Sequence, residues 1–334
     1  MSSVWVDPAR PGRDMKSGRG RRSSPREWRW SDRLALSLAW IAGFGLCLIA
    51  AAIVLYMGYQ GIQYLRPSLL ISHPQASTSQ SGSGGFLDPL EGTALLTLIG
   101  IVLAAPLAVG SAIWISEYGR PGWLARIVES SIEVVAGTPD IVIALFGLVI
   151  FQLHLFAAFS FTASTGGVFG QSFIAAGAMM SLIAIPPLFA ATRDGLQAIP
   201  AHMREAAFAL GKTRIATIRR VLLPSVRSNI ATGVTLGISR IIGDTAIVVL
   251  LLGSTLRIEP QGSVPVVGLL RGTGATLTSY VYDNSPAGES GAPQKAYAAA
   301  FLLMIFVLGL NLLVDRIGRS EADSTGLTVA GAVV

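Results

Sequence analysis

"IPAHMREAAFALGKTRIATIRRVLLP", Ile199–Pro224, carries the reading of this 334-residue chain. Pro200 fits the first turn of a helix, where a missing N–H costs nothing. Met203, Ala206, Ala207 and Leu210 recur at i, i+3, i+4 and i+7, the spacing of one helical face. Gly211 suits a left-handed stop. Thr213 can cap a second helix with Ile215, Ile218 and Leu222 on one side, closed by Pro224. The expectation is a short helix pair with an apolar stripe set among bases. Such a stripe serves equally to pack on the protein's own helices or to dock on a partner.

On both sides of this loop the chain turns apolar. Of all residues 51% are hydrophobic and 13% charged, where a soluble domain carries roughly 25% charge. Crossing the ~30 Å hydrocarbon core takes roughly 20 apolar residues in helical form. Six blocks qualify: Leu34–Tyr56, Leu90–Ile115, Ile141–Phe159, Phe173–Ala191, Ile230–Gly253 and Ala296–Leu313. The fold class expected is an all-α polytopic membrane protein with six transmembrane helices. The short alternating segments of a membrane β-barrel are missing.

Charge sets the orientation. Nine of the 25 Lys and Arg precede Leu34, and seven lie between Arg193 and Arg227. The stretch between the first two blocks holds only Arg66, and that between the third and fourth holds none. By the positive-inside pattern both termini and the 193–227 segment are cytoplasmic. Arg257 and Arg271 sit in a long segment and weigh less. Arg21-Arg22 is followed by polar residues, which excludes a twin-arginine export signal. The basic tail, residues 1–33, is read as disordered and in contact with anionic lipid, with no nucleic acid involved. The chain then divides into a first transmembrane helix (34–65), a flexible extracytoplasmic linker (66–89) rich in Ser and Gly, a core (90–316) and a C-terminal tail (317–334).

Within the core, Leu124, Ile127, Val128 and Val135 have helical spacing, which suggests an interfacial helix. In "AGTPDIVIALFGL", Thr138 fits an N-cap, Pro139 a first turn, and Asp140 the positive end of the helix dipole. Plain helix initiation explains this stretch; an exposed N-terminus that attracts an anion is the alternative. Pro186-Pro187 predicts a kink or break in the fourth span.

The fifth block, "TGVTLGISRIIGDTAIVVLLLG" (Thr232–Gly253), holds two charges near its middle. A charge there costs at least ~2.5–3.5 kcal/mol, so such groups face the bundle interior or a water-filled path. In a continuous helix Arg240 and Asp244 share a face, and either pair with each other or bracket a ligand. A guanidinium fork suits phosphate-like oxyanions. A carboxylate binds an anion only through a proton that the anion carries, so the pair would favour protonated phosphate over fully ionised competitors.

Glu205-Ala206-Ala207, three residues, Gly211, nine residues, then Val221-Leu222-Leu223-Pro224 resembles the EAA loop of importer permeases in the ATP-binding cassette superfamily, with Val221 in place of Ile. "PLAVGSAIWISEY" (Pro106–Tyr118), "EVVAGTPDIVIALFG" (Glu133–Gly147) and "SRIIGDTAIVVLL" (Ser239–Leu252) are similar to stretches of phosphate-specific permeases of the PstA/PstC type, over about Glu91 to Arg316. The resemblance implies the type I importer permease fold. It also implies a loop docking on a cytoplasmic ATPase through Glu205, Ala206, Ala207, Gly211, Leu223 and Pro224, and a substrate pathway at Arg240, Asp244 and Thr245. Asp244 stands where that family usually has Glu, and Asp140 where it often has Ser. Ala190 stands where it commonly has Arg, a part that Arg193 could take one turn later.

The implied protein is a transport subunit, not an enzyme, in a bacterial cytoplasmic membrane. Its implied partners are a PstC-type second permease, a PstB-type ATPase dimer, a PstS-type extracytoplasmic binding protein and the lipid bilayer. The chain lacks a Gly-x-x-x-x-Gly-Lys-Ser/Thr loop, so no cofactor is expected on it and ATP with Mg would be bound by the ATPase. An importer of molybdate, phosphonate or an amino acid is the nearest alternative. A membrane-embedded enzyme is the other, against which His73, His154 and His202 are scattered, and the single Cys47 excludes an intrachain disulfide.

Overall fold

The computed structural model describes residues 30–74, 84–119, 121–160, 170–253, 258, 265–285 and 293–330. The basic tail before Trp30, most of the Ser72–Gly85 linker and Arg257 lie outside them. All regular structure among the described residues is helical. The chain divides into two compact units, 1–55 and 56–334. The first contains most of α1 (Trp30–Ile62), with Leu, Ile and Phe side chains exposed along its length.

The second unit is a helix bundle. After α2 (Pro67–Ile71) come α3 (Leu87–Ile113), α4 (Gly122–Gly137) and α5 (Asp140–Phe151). Then follow α6 (Phe173–Ala198), α7 (Ala201–Ala209), α8 (Arg214–Thr217) and α9 (Leu223–Gly243). α10 (Pro265–Arg271), α11 (Leu277–Asn284) and α12 (Pro293–Ala330) complete it. α6 is the central element, packed on α3 and α9 along its length, and it is the most buried of the long apolar helices.

Small residues allow this packing. A Cβ on Gly177 of α6 would lie 2.4 Å from the Ile99 side chain of α3, and one on Gly233 of α9 would lie 2.7 Å from Leu188 of α6. Close backbone approach at small residues replaces the hydrophobic drive that membranes do not supply. Ile241, Met180, Leu96 and Leu251 fill the middle of the bundle, and Leu188, Leu196, Leu222 and Val226 fill the end beside the 199–224 loop. At the other end of α3, Asp88 binds His73 Nδ1 through Oδ2 (2.7 Å) and accepts from the backbone N–H of Ile258 through Oδ1 (3.1 Å).

Four helices among the described residues are long and apolar enough to cross a membrane: Asp32–Ile62, Leu87–Tyr118, Phe173–Ala198 and Pro293–Arg316. The third predicted span, Ile141–Phe159, is not one helix. α5 has 12 residues, about 18 Å, short of the ~30 Å required, and a 3₁₀ segment follows at His154–Phe159. α4 and α5 meet at a bend of 108° and together make a fifth candidate crossing. The fifth predicted block also divides, because α9 stops at Gly243 and a separate π-turn runs from Val248 to Leu252.

The prolines expected to interrupt helices do not end them. α6 runs unbroken through Pro186 and Pro187. Pro224 does not close the second loop helix. A π-turn at Ile218–Leu222 leads directly into α9, whose first turn contains Pro224. Proline is tolerated there because the ladder is already shifted to the wider repeat.

Candidate functional site: a charged junction of broken helices and the 199–224 loop

Two helix breaks meet at the charged residues. Pro139, with its fixed φ, starts α5 directly after the bend, so Asp140 occupies the first turn at the positive end of the helix. Thr138 does not cap α5; its hydroxyl donates back to Val134 O in α4 (2.7 Å). On the other side, α9 ends at Gly243, and Asp244 is extended (φ −81°, ψ 133°). Its Oδ2 accepts from the backbone N–H of Ile247 (2.8 Å), the N-cap bond of the segment that follows. Thr278 on α11 donates to the freed Asp244 carbonyl (3.4 Å). Thr245 is half-buried beside it, its carbonyl accepting from Val249 N (2.9 Å).

Of the two readings for Arg240 and Asp244, a pair with each other is not the arrangement observed. Asp244 keeps a near-helical φ, but its extended ψ starts a new segment under its carboxyl, which caps that segment at Ile247 instead. Arg240 Nη2 donates instead to Asp140 Oδ1 (3.0 Å), the side chains being 50% and 30% exposed. Asp244 is buried, close enough to Asp140 and Arg240 to interact electrostatically with both. The junction thus gathers one guanidinium and two carboxyls from two helix breaks. Asn311 Nδ2 of α12 donates to Ser239 Oγ beside it (3.2 Å).

Sequence reasoning treated Asp140 as a helix-start residue and missed its pairing. The Gly-Asp step, a stop followed by a cap, was the available signal for the second break. Broken helices at membrane depth persist only where protein or water satisfies the freed backbone, and transporters use such breaks at binding sites. Arg193 of α6 lies apart in its bonding. Its Nη2 pairs with Glu129 Oε1 of α4 (2.7 Å), and its guanidinium lies 6.0 Å from the Phe189 ring centre.

The 199–224 loop folds as its residues dictate. α7 closes with both bonds of a Schellman motif: Gly211 N–H to Phe208 O (2.9 Å) and Lys212 N–H to Ala207 O (3.1 Å). Gly211 has φ +73°, a region that a side chain resists. Thr213 Oγ1 accepts from Ala216 N (3.3 Å), capping α8. The expected stripe is divided: Ala207 is buried, while Met203, Ala206 and Leu210 are exposed, as is Glu205 beside them. Phe208 and Ile215 are exposed as well, so the loop presents three large apolar side chains that no described residue covers. Leu223 and Pro224 are half-buried at the start of α9.

A bundle of long apolar helices with broken spans meeting at charged groups is an arrangement that membrane transport components use. Residues 97–320 match the family described as "Binding-protein-dependent transport system inner membrane component". The chain belongs to that family. It is 27% identical over 305 residues to the phosphate transport system permease protein PstC of Xylella fastidiosa, covering 83% of this chain and 88% of that one. It is 32% identical over 230 residues to PstA of Mycobacterium leprae, covering 69% of each chain. PstA 1 of Mycobacterium tuberculosis is 31% identical over the same length and share. Among solved structures, a chain of a bacterial alginate ABC transporter in complex with an alginate-bound periplasmic protein superposes with a TM-score of 0.57. It is 16% identical and covers 89% of this chain and 96% of that one, a likeness of fold.

Proposed function

We propose that this chain is a permease subunit of an ATP-driven importer of inorganic phosphate in a bacterial cytoplasmic membrane. A homologous PstC-type permease would share the pathway, and an extracytoplasmic PstS-type protein would deliver the anion. Both termini would be cytoplasmic. A PstB-type ATPase dimer, binding ATP and Mg, would dock on the loop that carries Glu205, Gly211 and the exposed Phe208, Leu210 and Ile215. The names of these permeases support phosphate as the solute.

One observation carries this reading. Arg240 is half-exposed at the junction of two broken helices. A cation open to hydrocarbon is costly, so that surface has to be covered by another protein or by a water-filled path. A second permease laid against it places Arg240 on the shared route. Asp140, which occupies part of the guanidinium fork, then competes with the arriving anion. A phosphate that still carries a proton can donate it to that carboxylate, and a fully ionised anion meets repulsion.

ATP-driven uptake of labelled phosphate into proteoliposomes that hold the complete complex tests the proposal. Arg240→Ala should assemble with its partners and lose uptake by about a hundredfold or more. Wild-type uptake by that variant refutes the pathway. Uptake of molybdate or phosphonate in preference to phosphate reassigns the solute.

A further inference from the structure

Both helices of the 199–224 loop converge on Glu117, a residue that the transport reading leaves without a task. Glu117 belongs to the π-turn Trp114–Tyr118 that closes α3, and its side chain is only 8% exposed. Arg204 of α7 donates through Nε to Glu117 Oε1 (3.0 Å). Its remaining nitrogens are also engaged, Nη1 with Ile199 O and Nη2 with Leu196 O, each at 2.9 Å. Those two carbonyls are orphans at the C-terminal end of α6, where a cation is favoured. From α8, Arg214 Nη1 donates to the Glu117 carbonyl (3.1 Å), and its guanidinium lies 5.2 Å from the Tyr118 ring centre.

The loop is joined to α6 through Ile199–Pro200 and to α9 through the Ile218–Leu222 π-turn, in both cases by the chain itself. α3 has no such covalent link. Its end meets the loop through apolar side chains, among them Ala112 and Ile115 beside Leu196, Ile218 and Leu222, and through Glu117. Apolar contact is non-directional and lets surfaces slide. A charge-assisted bond with fixed geometry holds one register.

We infer that Glu117 and Arg204 are positioning residues that tie α3 to the loop, so that a displacement of the loop carries α3 with α6 and α9. This rests on the reading of the loop as the ATPase contact. Neither residue touches the anion; both act through the loop. Loss of the tie uncouples ATP hydrolysis from transport instead of abolishing either.

The experiment measures phosphate uptake and ATP hydrolysis in the same proteoliposomes with the complete complex. Glu117→Leu keeps the bulk and removes the acceptor. The expected result is a fall of about tenfold in phosphate transported per ATP, with hydrolysis and the phosphate KM within about twofold of wild type. Glu117→Gln, which retains an acceptor for Arg204, should keep most of the coupling. An unchanged ratio in Glu117→Leu overturns the inference. Arg214→Met, at an exposed position, gives an independent reading if Glu117→Leu fails to assemble. It should lower the ratio by a smaller factor, and no change in it counts against the tie. Absence of ATP-dependent uptake in the wild-type complex instead defeats the transport reading itself.

Discussion

Arg240 Nη2 lies 3.0 Å from Asp140 Oδ1, a carboxylate one hundred residues earlier in the chain, while Asp244, four residues later, turns its Oδ2 to the N–H of Ile247. The two acids nearest one guanidinium therefore have different tasks. Asp140 occupies the fork, and Asp244 holds the broken backbone.

Removing the charge of Asp140 should free the fork. In Asp140→Asn, the phosphate KM for uptake should fall several-fold and sulfate, which has no proton to donate at neutral pH, should become a substrate. The factor expected for one competing charge-assisted bond is about 10. Parallel uptake assays with labelled phosphate and sulfate read both effects. An unchanged selectivity removes Asp140 from the anion's path.

Asp244 separates its two possible roles by substitution. Asp244→Asn keeps an acceptor for Ile247 and should remain assembled, with any change confined to anion preference. Asp244→Ala loses the cap and should destabilise the protein by about 1 kcal/mol. Thermal unfolding in detergent distinguishes them; equal stability of the two variants contradicts the capping role.

Gly211 closes α7 with φ +73°. A β-branched side chain there forces strain of roughly 1–2 kcal/mol, whereas Asn tolerates the conformation better. Gly211→Val should weaken copurification of the ATPase, and Gly211→Asn should weaken it less. Replacing exposed Leu210 and Ile215 by Ser should weaken the same contact without lowering the melting temperature.

Gly233 faces Leu188, where an added Cβ would lie 2.7 Å from Cδ1 and 3.0 Å from Cα. Overpacking at a site bounded by backbone costs about 1–3 kcal/mol. Gly233→Val should melt at a lower temperature in detergent, and a variant as stable as wild type would contradict this tight packing of α6 on α9.

By itself the sequence determined what local chemistry controls. Long apolar blocks point to membrane helices, four of which form unbroken, Gly211 can accept a positive φ, Thr213 can cap, and Pro200 can open a helix, all within a few residues of their partners. It also marked Arg240 as a charge that needs company. Which company it keeps was decided by tertiary structure. The Gly243–Asp244 stop and the 108° bend before Asp140 bring together groups whose separation along the chain leaves no periodic trace. The same holds for Glu117, whose two arginine contacts lie 87 and 97 residues away. Periodicity reports neighbours on one helix. Pairing between helices depends on where each helix ends, and one residue in extended conformation is enough to redirect a side chain to another partner.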